Sequence, residues 1–395
     1  MEAAVSKDSS PLKVLGWALY LGCSWTWCIG MFLPVLLIRD FGAASFLVFA
    51  VPNVLGAMLM GVALARPGAS EQFMRDHRAA CWWFSFITIA FQTFFFVWMY
   101  RGALPSSELW AVAGLLPLLL VRSHRSGWAA GVAAMVYILS LACALMWRST
   151  APPADALPPP LLPASDLLWL APVCLFGFGL CPYLDATFHA ARQRLPGRAG
   201  SAAFVLGFGV FFLSMILLTL AYAGPLLSRS LDARLPVQPG LLAAPLLLHV
   251  AAQLAFTAGL HRDCLTLARR RGAASLATAA AVFMGLGLGM LAERSARFAV
   301  DPETSYRLFM AFYALVFPAY VWICALGRGA PTRRTLTVYA LAVAAASPMF
   351  WMASIERRTW WFAPGLLIVL AARLLVRPGP AGREQDRAPA PRGSA

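Results

Sequence analysis

The order of apolar and polar positions divides the chain into long hydrophobic runs separated by short polar stretches. A bilayer core about 30 Å thick is crossed by roughly 20 apolar residues in a helix. Runs of this kind occupy residues 14–38, 43–65, 79–100, 108–121, 127–147, 167–191, 201–223, 240–261, 274–292, 306–326, 335–353 and 359–376. The pattern predicts an all-α polytopic membrane protein with about twelve transmembrane helices. The fourth run, Glu108 to Val121, is short and contains Pro117, whereas the first and sixth are long and interrupted by Gly and Pro. Two stretches lack the pattern. Residues 149–165 form a Pro-rich connection, expected to be stiff and extended. The tail 378–395, made of Pro, Gly, Ala and charge, reads as disordered.

Composition agrees with this class. Of 395 residues, 60% are hydrophobic and 12% charged, with mean hydropathy +0.70. A soluble domain carries about 25% charged residues, so a soluble enzyme is excluded. The formal charge of +15 raises nucleic acid or an anionic membrane surface as partners, and the positions of the basic residues decide between them. With both termini in the cytoplasm, 22 Lys and Arg fall on the cytoplasmic side of the predicted spans and 10 on the other. This is the asymmetry of a topology signal. The expected partner is the lipid bilayer of a cytoplasmic (inner) membrane, with no nucleic acid. The first eleven residues are polar and the first apolar run is too long for a cleavable signal, so none is expected. The eight cysteines are scattered, mostly inside spans, without a CxxC pair, and read as small apolar packers.

The Pro-rich connection divides the first ten spans into two groups of five. The organisation is then a cytoplasmic segment 1–11, a first five-helix repeat 12–148, the linker 149–165, a second repeat 166–327, two further helices within 328–377 and the tail. Each repeat opens on an interrupted helix: Gly22-Cys-Ser-Trp-Thr-Trp-Cys-Ile-Gly30-Met-Phe-Leu-Pro34 in the first, Pro172-Val-Cys-Leu-Phe-Gly177-Phe-Gly179-Leu-Cys-Pro182 in the second. Five is odd, so the second group runs upside down relative to the first. Paired interruptions in two inverted halves are the sequence pointer to a transporter binding site. In this organisation the chain resembles transporters of the LeuT-like five-plus-five inverted-repeat fold, such as the amino acid–polyamine–cation and sodium:solute symporter families. The resemblance covers spans one to ten and implies that the freed backbone of spans one and six holds solute and ions. The blander reading of the same residues is that Gly and Pro allow close helix packing.

Ionisable and polar residues inside a bilayer are costly and face a cavity or a partner. Span eight carries His249, Gln253, Thr257 and His261 at spacings of four, and span three carries Ser85, Thr88 and Gln92. These stripes occupy matching positions of the two halves, so either they line one pathway or they bond neighbouring helices. His261, beside Arg262, reads as a headgroup residue at the inner surface. Asp185 is the one acid well inside a span, and His189 follows four residues later. The pair reads either as a proton relay or gate, or as a helix-end anchor through His189 or a nearby Arg. Around the first interruption, Gly22, Ser24, Trp25 and Thr26 are candidate substrate contacts. Gly177 and Gly179 in span six, Gln92 in span three, and His249 and Gln253 in span eight join them, with Asn53 as a lesser candidate.

The resemblance brings Na⁺ or H⁺ as the possible coupling ion and no other cofactor. Sodium-coupled members of that fold often carry paired hydroxyls on the eighth helix, and only Thr257 is present here. No P-loop, H-E-x-x-H or G-x-S-x-G occurs in a credible context. The reading that follows is a non-enzymatic secondary active transporter that moves a small-molecule solute by alternating access through a midplane site. A non-transporting membrane scaffold or sensor and a membrane-embedded transferase remain open beside it.

Overall fold

In the computed structural model, residues 10–103, 128–150, 159–227, 244–268, 271–294, 301–326 and 329–376 are described. The predicted span 108–121, residues 151–158 of the linker and the tail from 378 lie outside them. Among the described residues the chain is helical and has no strand. The helices are α1 (Pro11–Trp25), α2 (Cys28–Phe41), α3 (Ala44–Ala63), a short α4 (Ala69–Asp76), α5 (Arg78–Ala103) and α6 (Trp128–Thr150). Next come α7 (Leu167–Leu180), α8 (Ala186–Arg194), α9 (Gly197–Leu206) and α10 (Leu213–Leu227), the last two continuous through a π-helical Gly207–Phe212. The chain ends in α11 (Ala244–Ala268), α12 (Arg271–Arg294), α13 (Pro302–Tyr320) with a π-helical Val321–Ala325, α14 (Arg333–Ser354) and α15 (Phe362–Ala372).

Seven helical segments among the described residues are long and apolar enough to cross a membrane, and the bent pair α1–α2 makes an eighth. Two shorter apolar helices, Ala273–Gly289 and Thr359–Leu375, and the polar-striped α11 occupy three further predicted spans. Helix starts follow ordinary capping chemistry. Ser10, Asp301 and Thr332 each accept a hydrogen bond from the backbone N–H three residues on, and Pro11 and Pro302 take the first helical position.

The first and sixth spans are both broken. The axes of α1 and α2 differ by 54°, and the chain leaves the helix at Thr26 and Trp27, where Trp27 is extended. In the last turn of α1 the hydroxyls bond back onto the helix, Ser24 Oγ donating to Leu21 O (3.0 Å) and Thr26 Oγ1 to Gly22 O (2.8 Å), while Thr26 N–H turns back onto Cys23 O (3.2 Å). In the sixth span α7 tightens into a 3₁₀ turn at Cys181–Leu184, and Asp185 then turns extended and caps α8. The break at Thr26 and Trp27 falls inside the interrupted stretch Gly22–Pro34 expected from the sequence.

The contacts between halves are exchanged as an inverted pair exchanges them. Helix α1 of span one packs on span seven and on α6, while α7 of span six packs on span two and on α13. Both exchanged contacts close on glycine. A Cβ on Gly22 would lie 2.8 Å from Phe211 Cβ, and one on Gly207 would lie 2.9 Å from Ala18 O. On the other side a Cβ on Gly56 would overlap the carbonyl oxygen of Phe178. Small residues that let backbones approach are how helices associate in lipid. Gly56→Ala is therefore expected to lower stability by about 1–3 kcal/mol, read as a lower melting temperature of the purified protein in detergent. Gly179→Ala, with open space around the new Cβ, is expected to leave it unchanged.

Candidate functional site

The two breaks face a common cavity. It has an empty volume of about 1010 Å³, counting the open space at its mouth. Its floor is formed by Trp25 and Trp27 from the first break and by Gly177, Cys181 and Tyr313 from spans six and ten. Higher up the walls are apolar, with Leu33, Leu37, Leu170, Val173 and Phe178, and the polar residues gather at the mouth as Asp40, Arg307, Arg357 and Thr359. Pockets of this kind, mostly apolar with a few placed polar groups, are the usual form of a small-molecule site.

Trp25 is held firmly. Its Nε1 donates to Asn53 Oδ1 (2.6 Å), and its ring packs against Trp27, Phe84 and Phe188. The candidates Trp25 and Asn53 are thus joined, and the ring both packs and lines the cavity. Gly177 lies on the cavity wall. Gly22 is packed against span seven, and the hydroxyls of Ser24 and Thr26 are spent on backbone carbonyls.

Behind Trp27 lies a buried polar cluster. Asp185 Oδ1 accepts from Thr187 N (2.8 Å) and Thr187 Oγ1 (2.7 Å), while Oδ2 has no hydrogen-bond partner. His261 Nε2 stands 3.9 Å from that oxygen, and its Nδ1 lies 3.1 Å from Ser85 Oγ. Spans three and eight therefore do meet, through Ser85 and His261, and Thr88 Oγ1 pairs with Tyr313 Oη at 2.7 Å. The reading of His261 as a headgroup residue is overturned: it is fully buried. Helix α11 runs seven residues beyond it, to Ala268, which carries the helix end away from His261.

His189 does not partner Asp185. Its Nε2 lies 2.8 Å from Tyr183 O, its Nδ1 lies 2.9 Å from Ser70 Oγ, and Phe73 stacks on the ring. A spacing of four puts two side chains on one helical face only if both belong to the helix, and Asp185 is the extended residue ahead of α8. The relay between these two residues, and the acid/base pair that a transferase would have used, are thus not formed.

The rest of span eight points elsewhere. Gln253 Nε2 donates to Ser140 Oγ of α6 (3.0 Å), and His249 lines a separate space of about 270 Å³ between α6, α10 and α11. A residue spacing of four drifts by about 40° per step on a 3.6-residue helix, hence about 120° from His249 to His261. The stripe therefore cannot serve one pathway along its length. Gln92 is buried with neither amide atom bonded and does not line the cavity.

Charged groups stand at both ends. At the mouth Arg39 grips Glu303 with two bonds (2.8 and 2.5 Å) and bonds Asp40 (3.0 Å). Arg307 bonds Asp40 and Glu303, and Arg357 reaches Glu303 at 3.4 Å. At the opposite face Arg192 of α8 donates to the carbonyls of Leu64 (3.2 Å), Ala65 (3.1 Å) and Gly197 (2.8 Å). Ser70 also receives Gln193 Nε2 at 3.2 Å. This latch ties the loop after α3 to the half-helix below the cavity floor. Sequence reasoning missed these arginines because their partners lie up to 267 residues away. Arg192→Met leaves three carbonyls without their donor, at about 1.5–3 kcal/mol per charged hydrogen bond lost. Limited proteolysis within residues 64–70 is expected to accelerate at least tenfold, assuming about 1.4 kcal/mol per factor of ten.

The chain matches no established family, and no curated protein sequence matches it. Among solved structures it is similar to one described as the inward-facing conformation of Mhp1, at 12% identity over 95% of this chain and 94% of that one, with a TM-score of 0.45. The likeness is one of overall helical organisation.

Proposed function

We propose that this membrane protein is a secondary active transporter. A small, largely apolar solute occupies the cavity floor between Trp25, Gly177, Cys181 and Tyr313, and the two half-helices rock about their breaks to expose that floor to each side in turn. The observation that carries the reading is the meeting of both helix breaks at the floor of one cavity, which opens beside Arg357 and is tied shut beneath by Arg192 and Ser70. Discontinuous helices that meet at a central site are the transporter device. The apolar walls argue for a solute with more carbon than charge, since an unpaired charge there would lose its hydration without recompense. The face bearing Arg39, Arg307 and Arg357 is the side that the basic-residue asymmetry assigns to the outside.

A scaffold would have the centre of the bundle filled with side chains, and this centre is hollow on one side. The test is uptake by purified protein in liposomes, with an imposed Na⁺ or H⁺ gradient and a mixture of small apolar and aromatic solutes read by mass spectrometry. At least one solute is expected to accumulate above protein-free liposomes. Gly177→Trp, which fills the floor, is expected to abolish that accumulation. No accumulation under either gradient would contradict the reading.

A further inference from the structure

The transporter reading leaves the buried carboxylate of Asp185 unexplained. Asp185 is inside the bundle and fully buried, and its Oδ1 is committed to the cap of α8 while Oδ2 is bonded to nothing. A carboxylate oxygen removed from water without a partner is among the most costly states a protein can hold. Among the described residues the one ionisable group at ion-pairing distance from Asp185 is His261, whose Nε2 at 3.9 Å is likewise without a hydrogen-bond partner. A neutral His261 that donates Nδ1–H to Ser85 Oγ presents a bare nitrogen to a bare carboxylate oxygen. Two acceptors then face one another, and one proton on Oδ2 converts them into a donor and an acceptor.

Among the described residues no other cation stands at ion-pairing distance from Asp185. The other titratable groups near Asp185 among the described residues are Tyr20 from α1, Cys81 from α5, Cys264 from α11 and Tyr313 from α13. None carries positive charge. Tyr20 Oη is buried and unbonded as well. An alkali cation prefers several hard oxygen ligands, whereas one whole side of this slot is an imidazole nitrogen, a softer ligand. The charge deficit is therefore suited to a proton.

We infer that Asp185 and His261 form a proton-binding site at the break of the sixth span. On binding, the carboxylate takes H⁺ from water, the pair passes from a net charge of −1 to 0, and the new O–H donates to His261 Nε2. Loss of that proton returns two facing acceptors, which separate. Because Oδ1 of the same carboxylate caps α8, the approach or separation is delivered to the half-helix that carries His189 and Arg192. Because the Trp27 ring lies 6.2 Å from the His261 ring and also lines the cavity, the same event reaches the solute floor. The coupling rests on the transporter reading; the proton site itself does not.

The test is infrared titration of the full chain in lipid nanodiscs, following the C=O stretch of protonated carboxylic acids against pH, with no solute present. Asn caps a helix about as well as Asp, so Asp185→Asn keeps α8 in place and removes only the titrating group. The expected result is one protonated-carboxyl band in the wild type that is lost in Asp185→Asn, retained in Asp263→Asn and insensitive to exchange of Na⁺ for a large organic cation. His261→Gln, which leaves the carboxylate present even where Asp185→Asn does not fold, is expected to move the midpoint of that band by about one pH unit or more. A spectrum unchanged by both Asp185→Asn and His261→Gln would overturn the assignment, as would a band displaced by Na⁺, which would make the slot a sodium site. An intact band without solute uptake would leave the proton site standing and remove the transporter reading. Gradient-driven uptake without the band would do the reverse.

Discussion

A backbone that leaves the helix inside an apolar bundle must still find a partner for every N–H and C=O it frees, because no bulk water is there to take them. That constraint governs the centre of this protein. At the first break Thr26 N–H turns back onto Cys23 O, and the hydroxyls of Ser24 and Thr26 brace the last turn of α1 at the carbonyls of Leu21 and Gly22. At the second, Asp185 and Thr187 start a new helix around one carboxylate oxygen. These short side chains allow two helices to stop halfway and aim their ends at one cavity.

The cavity's two ends are held by a different force. Arg39, Arg307 and Arg357 share Asp40 and Glu303 at the mouth, and Arg192 gathers three backbone carbonyls on the opposite face. Charge-assisted bonds of this kind are directional and individually strong, yet each can be released when water arrives. Apolar packing in the middle and releasable polar clasps at the ends suit a bundle that opens at one face while it stays shut at the other. The asymmetry between an open mouth and a latched floor is the physical content of the proposed function.

Much of this was legible in the chain. The apolar runs located eleven spans among the described residues, and the matched interruptions of spans one and six led to the cavity floor, with Trp25 and Gly177 among its residues. Details failed where the local pattern does not determine the partner. Gly22 read as a candidate substrate contact, but its lack of a side chain serves the contact with Gly207 and Phe211. His249 and Gln253 share a nominal stripe with His261, and helical drift turns them onto α6 and away from the cavity. Asp185 stood out as an isolated acid, yet its neighbour in space is 76 residues further on rather than four. Tyr313, which shares the floor, carried no sequence signal beyond being aromatic in a span rich in aromatics.

The most direct measurement of the central claim is the reactivity of Cys181 with a membrane-impermeant thiol reagent added from each side in turn. All eight cysteines are buried and none forms a disulfide, and Cys174 and Cys181 are the two that line the cavity. A Cys174→Ser background isolates the deeper one. In sealed vesicles of defined orientation, modification of Cys181 is predicted from the Arg357 face, with protection by an accumulated solute. When the latch is released by Arg192→Met, it is predicted from the Arg192 face instead. Cys181 that reacts from neither face, or from both faces at once without change in Arg192→Met, would contradict an alternately exposed site at the two helix breaks.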